Sequence, residues 1–201
     1  MNKDFVNNRS KMINEIKPNI ITHIMDFDFI IGEPYAGFIP LIFSLHENEK
    51  IEIRASRDFD PFKQIIKWIE YILSGIKSYN SASFNLDCVN SDYIISYEVY
   101  GLYGHSQCDT GIFSIYKNFD NYVFSMYCNT LEFLQKIYFT IRDFAKENAN
   151  NKTFHEEWLD YLNLGLDYDE YTNYFLDLVN SSLIGSKLKE FEREQEHNNY
   201  L

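Results

Sequence analysis

The chain has 201 residues, 45% of them hydrophobic and 17% aromatic, which excludes a disordered protein. A chain of this length buries roughly 70% of its unfolded surface and needs no disulfide or metal staple. Its net charge of -12 argues against direct binding to a phosphate backbone, which requires clustered Lys and Arg.

The opening run MNKDFVNNRSKMINEIK reads as a short helix or loose arm, stopped by Pro18. It lacks the apolar stretch of a signal peptide, and no segment approaches 18 uninterrupted apolar residues, so neither export nor a membrane span is expected. Three cysteines, Cys88, Cys108 and Cys128, form no C-x-x-C pair. An odd number of that kind fits a reducing cytoplasm better than a disulfide framework.

From Ile20 the pattern turns strand-like. Segments 20–31, 38–46 and 50–55 are rich in β-branched and aromatic residues, with the loop Gly32-Glu33-Pro34-Tyr35-Ala36-Gly37 between the first two. The clearest helix follows. Asp60 suits an N-cap, Pro61 suits the first helical position, and Gly75 suits the residue just past the end. Phe62, Ile65, Ile66, Ile69, Ile72 and Leu73 recur at helical spacing, and Trp68 is expected to cover the edge of that face. Strands are predicted at 83–89, 92–102, 111–117 and 121–128, joined by turn-forming residues, with a longer loop at 103–110. Short connections of this kind join antiparallel neighbours.

After Cys128 the chain reads as helical. Asn129 with Glu132 forms a capping box for a helix to about Asn148, with Leu134, Ile137, Tyr138, Ile141 and Phe144 or Ala145 facing inward. Thr153 with Glu156 repeats the device for a helix ending at Gly165. Asp167 with Glu170 repeats it again, with Tyr171, Tyr174, Phe175 and Leu178 as the buried face. A last helix is expected at about 182–195. The expected fold is α+β in a single domain, 1–201. It has an antiparallel sheet of six to seven strands, one helix after the third strand and a C-terminal helical cluster. Residues 18–128 would be mainly sheet with helix 61–75, and residues 129–196 the helices.

The charge is uneven. Residues 1–150 carry -5 and residues 151–201 carry -7, so a quarter of the chain holds most of the imbalance. Between Thr153 and Asn180 there are seven acids and seven aromatics but no Lys or Arg. The expected partner-binding residues are Glu156, Glu157, Asp160, Tyr161, Asp167, Tyr168, Asp169, Glu170 and Asp177, with Trp158 as a further anchor unless it is core. Acids in first turns complement the helix dipole, which accounts for Glu156, Asp169 and Glu170. Asp160, Asp177 and Glu157 have no such local reason. Like charges on one helix face cost stability, so their presence points to a partner that supplies cations.

Catalytic signals are sparse. No phosphate-binding glycine loop, H-E-x-x-H or G-x-S-x-G is present. His105 and Cys108 share a polar loop and would suit a thiolate–imidazolium pair or half of a zinc site. Asp26 with Asp28, and Asp58 with Asp60, are spaced like weak carboxylate pairs, with Arg54 and Arg57 close enough in sequence to neutralise them. The alternative to a binding protein is therefore a small cytosolic hydrolase using a Cys/His or carboxylate site. The favoured reading is not an enzyme, and it needs no metal or cofactor.

The acidic balance, the missing signal peptide and catalytic motifs, and the α+β layout together resemble, in kind and over the whole chain, the immunity proteins of bacterial contact-dependent inhibition and related polymorphic toxin systems. The stretch Ser56-Arg57-Asp58-Phe59-Asp60-Pro61-Phe62 followed by Trp68-Ile69-Glu70 is also similar to a segment of small uncharacterised bacterial proteins. The resemblance implies a cytoplasmic protein that binds a cognate toxin domain, basic and possibly a nuclease, and blocks its active site.

Overall fold

The computed structural model describes residues 27–45, 49–56, 60–75, 81–88, 91–100, 110–118, 121–159 and 168–187. Seven strands form two antiparallel sheets, not one sheet of six to seven strands as the sequence suggested; the α+β class itself stands. The first sheet runs β1 (Phe27–Ile31), β2 (Phe38–Leu45), β3 (Glu49–Ser56). The second runs β4 (Ser81–Cys88), β5 (Ser91–Tyr100), β6 (Thr110–Lys117), β7 (Asn121–Asn129).

The break between the sheets coincides with a change of connection. Within each sheet the strands follow one another as hairpins, so each pairs with its chain neighbour. Between β3 and β4 the chain passes through helix α1 (Pro61–Leu73). β3 and β4 come close together but are not hydrogen-bonded neighbours.

Helix α1 forms where its caps place it. The Asp60 carboxylate accepts from Lys63 N at 3.1 Å, Pro61 takes the first position, and Gly75 follows the C-cap with φ 100°. Trp68 does not cover an edge. It is buried, donates its indole N–H to Ala82 O at 3.1 Å, and reaches the rings of Phe84, Tyr97, Phe113 and Phe133. Phe113 also touches Phe27 and Phe43, so one aromatic core is shared by both sheets, α1 and α2 (Thr130–Asn148). Gly111 has a packing reason: a Cβ there would lie 2.3 Å from the Tyr97 hydroxyl.

Helix α2 starts as expected, with Asn129 Oδ1 accepting from the amides of Leu131 and Glu132. The next cap moves. Asn151, not Thr153, accepts from Thr153 N and Phe154 N, because it stands directly before the short helix α3 (Lys152–Phe154). That helix widens into a π-helical turn, His155–Leu159. Helix α4 (Tyr168–Val179) follows, and residues 182–187 are again helical.

A second aromatic cluster joins these helices to α1. Phe62 touches Phe144, Trp158 and Phe175, and Phe154 touches Phe144 and Phe175. Polar ties reinforce it: the Tyr174 hydroxyl donates to Asp60 Oδ2 at 3.0 Å, and the Ser181 hydroxyl donates to Glu70 Oε1 at 2.6 Å. The Tyr138 hydroxyl donates to the carbonyl of Val179.

Candidate interaction surface

The described part of the acidic C-terminal segment, 153–159 and 168–180, divides between core and surface. Helical periodicity separates its residue types. Phe154, Trp158, Phe175 and Val179 are buried, whereas Asp169, Glu170, Asn173 and Asp177 lie exposed along the outer side of α4. Trp158, at 0% exposure, is core and is not available to a partner. Tyr168 is the first residue of α4, and Asp160, Tyr161 and Asp167 lie outside the described residues.

Two acids of the π-helical turn have partners within the chain. Glu156 pairs with Lys152, one turn earlier, at 3.3 Å, an exposed bond of small worth. Glu157 does more. Its Oε2 accepts from Ala36 N at 3.0 Å, and its backbone carbonyl accepts from Gly37 N at 3.1 Å. The acid with no local reason in the sequence therefore holds a loop 121 residues away. Among the described residues, neither Asp169 nor Asp177 forms an ion pair. Asp177 also stands in the last turn of α4, which contains no basic residue, so its charge opposes the helix dipole.

The loop held by Glu157 is the tip of the β1–β2 hairpin. Tyr35 N donates to Phe38 O at 2.9 Å and Phe38 N donates back to Tyr35 O at 3.0 Å. The two residues between them have positive φ, 48° for Ala36 and 78° for Gly37, as a type I′ hairpin turn requires. Glycine adopts that conformation freely; alanine adopts it at a cost of about 1–2 kcal/mol. Pro34 is buried, Tyr35 is 77% exposed, and Glu33, two residues before it, is also exposed. In the sequence Tyr35 falls within a connecting loop. The signal present was a large aromatic enclosed by Gly32, Pro34 and Gly37.

The alternative catalytic groups fare unevenly. His105, Cys108, Asp26, Arg57 and Asp58 lie outside the described residues. Asp60 is occupied as cap and as acceptor from Tyr174. Burial raises its carboxyl above the usual range, against the opposing pull of the Lys63 amide bond, the Tyr174 hydroxyl and the nearby Lys63 charge. Asp28 pairs with Lys136 at 3.2 Å, and Arg54 pairs with Glu52 at 3.1 Å and not with Asp60. Burial pushes the Cys128 thiol up to about 12, which leaves it protonated and poorly nucleophilic at neutral pH. Among the described residues, no three His, Cys, Asp or Glu side chains are grouped to hold a metal ion, and no helix is long and apolar enough to cross a membrane.

No family model, curated protein or solved structure matches this chain.

Proposed function

We propose that this chain is an immunity protein, a cytoplasmic inhibitor that binds and neutralises a cognate, basic bacterial toxin domain. One observation carries the reading: Asp169, Glu170 and Asp177 project from one side of α4, with Asp177 placed against the helix dipole. A charge that costs the isolated helix stability is repaid where a cationic surface meets it. The chain's net charge of -12 acts in the same sense at longer range, raising the encounter rate with a basic partner. A nuclease domain fits this description, because its own substrate demands a cationic cleft. Inhibition then consists of covering that cleft with an acidic helix face, with no chemistry performed by the inhibitor.

The test is co-expression with basic toxin domains, beginning with any encoded beside this chain's gene. Relief of growth arrest is expected, together with a one-to-one complex on size exclusion that weakens as salt is raised. Replacing Asp169, Glu170 and Asp177 together by Lys should slow association roughly tenfold or more and leave the fold intact. Continued arrest with no complex would end the proposal.

A further inference from the structure

Three irregularities meet at one corner of the molecule. The hairpin tip holds a non-glycine residue, Ala36, in the left-handed region, with φ 48°. The segment it docks on is a π-helical turn, a form that is rare and occurs disproportionately at functional sites. Within that turn, Trp158 is fully buried and its indole Nε1 finds no hydrogen-bond partner among the described residues. The left-handed alanine costs folding free energy, and strained backbone of this kind clusters at functional sites. The corner's one conspicuous product is Tyr35, 77% exposed on a tip pinned at two points by Glu157.

We infer that this corner is the anchor for a basic protein partner: an Arg or Lys of the partner lies against the Tyr35 ring, with the exposed carboxylate of Glu33, two residues earlier, to receive its charge. The inference rests on the proposed inhibitor function and locates its energetic centre away from α4.

The chemistry favours this occupant. Tyrosine is among the residues that dominate binding energy at interfaces, and covering one buries roughly 150–250 Å². Its ring attracts a cation, and the planar guanidinium stacks on it best. The tip is pre-organised by the Tyr35–Phe38 bonds and by Glu157, so little conformational freedom remains to be lost on binding. A second copy of this chain fits poorly, because it brings another net charge of -12 and another set of acids to the same place. The two acidic areas then divide the work. The α4 face steers the encounter, and the Tyr35 corner holds the complex.

The test uses the full chain and two probes, the toxin domain that it neutralises and a hexa-arginine peptide. Tyr35→Ala should weaken toxin binding roughly thirtyfold or more, mostly through faster dissociation, with the melting temperature unchanged. Tyr35→Phe should retain most of the affinity. In an NMR titration, the peptide should move the amides of Ala36, Gly37 and Glu157 most, and Tyr35→Ala should weaken it roughly two- to fivefold. Full toxin affinity in Tyr35→Ala overturns the anchor and leaves the inhibitor function standing. Peptide shifts centred on residues 169–177 overturn the corner as well. If the wild-type chain fails to bind the toxin, the inhibitor function falls, and the peptide shifts alone decide the corner.

Discussion

Helix α4 and the β1–β2 hairpin tip both combine acids with aromatic rings, and they do so in opposite ways. On α4 the backbone is regular, and its periodicity turns Phe175 inward while Asp169, Glu170 and Asp177 face out. On the hairpin tip the backbone carries an alanine at φ 48°, and the turn holds Tyr35 outward beside Glu33. A window rich in acids and rings is thus not a surface rich in both. In a helix the two types separate by face. At the hairpin tip the ring of Tyr35 and the carboxylate of Glu33 are both exposed.

The largest test of that contrast is Trp158→Ala. With its ring fully buried against Phe62, the substitution should cost about 3–5 kcal/mol in chemical denaturation. Unchanged stability with lost partner binding would return Trp158 to the surface. Asp60 comes next, since it links α1 to α4. Asp60→Ala should cost about 1 kcal/mol through the lost cap alone.

Asp60→Asn separates the cap from the charge. Burial raises the folded-state carboxyl above its ordinary value of 3.8, so the folded protein keeps the proton to higher pH than the unfolded chain does. Asp60's favourable contribution is complete below that ordinary value and is lost as pH rises through the raised one. Denaturation of both proteins at pH 4 and pH 7 should show the wild type losing ground to Asp60→Asn at the higher pH. An equal difference at the two pH values would mean that burial does not shift this group.

Glu157→Ala probes the hairpin's side of the contrast. Removing the acceptor of Ala36 N should cost about 0.5–1.5 kcal/mol and speed hydrogen exchange at Ala36, while Glu157→Gln preserves most of both. Unaltered exchange would show that the tip holds its shape alone. The smallest effect belongs to α4: Asp177→Lys should stabilise the protein by about 0.3–1 kcal/mol by complementing the helix C-terminus. A loss of stability instead would mean that Asp177 serves the fold, which would remove its reason to await a partner.

The sequence disclosed whatever depends on near neighbours. Asp60, Pro61 and Gly75 bound α1, Asn129 opens α2, and the described strands fall close to where alternation placed them, residues 20–26 of the expected first strand lying outside the described ones. It did not disclose what depends on distant ones. No residue announces that β3 and β4 stay unpaired, since that follows from how the two hairpin sets pack on a common core. Trp68 read as an edge residue because its reach into both sheets is a tertiary fact. Glu157 read as surplus charge because its hydrogen-bond donor, Ala36, lies far up the chain, and an alanine gives no warning that it will occupy a left-handed turn. Of the expected surface, Asp169, Glu170 and Asp177 are exposed, Glu156 and Glu157 have partners within the chain, and Trp158 lies inside.

The clasp between Ala36 and Glu157 also sets a timetable. The ribosome delivers the hairpin first and its acceptor 121 residues later, a delay of roughly 6–24 s at bacterial to eukaryotic synthesis rates. During that interval the tyrosine sits on an unfastened loop. The finished shape of the hairpin tip is therefore reached only once translation has passed the π-helical turn.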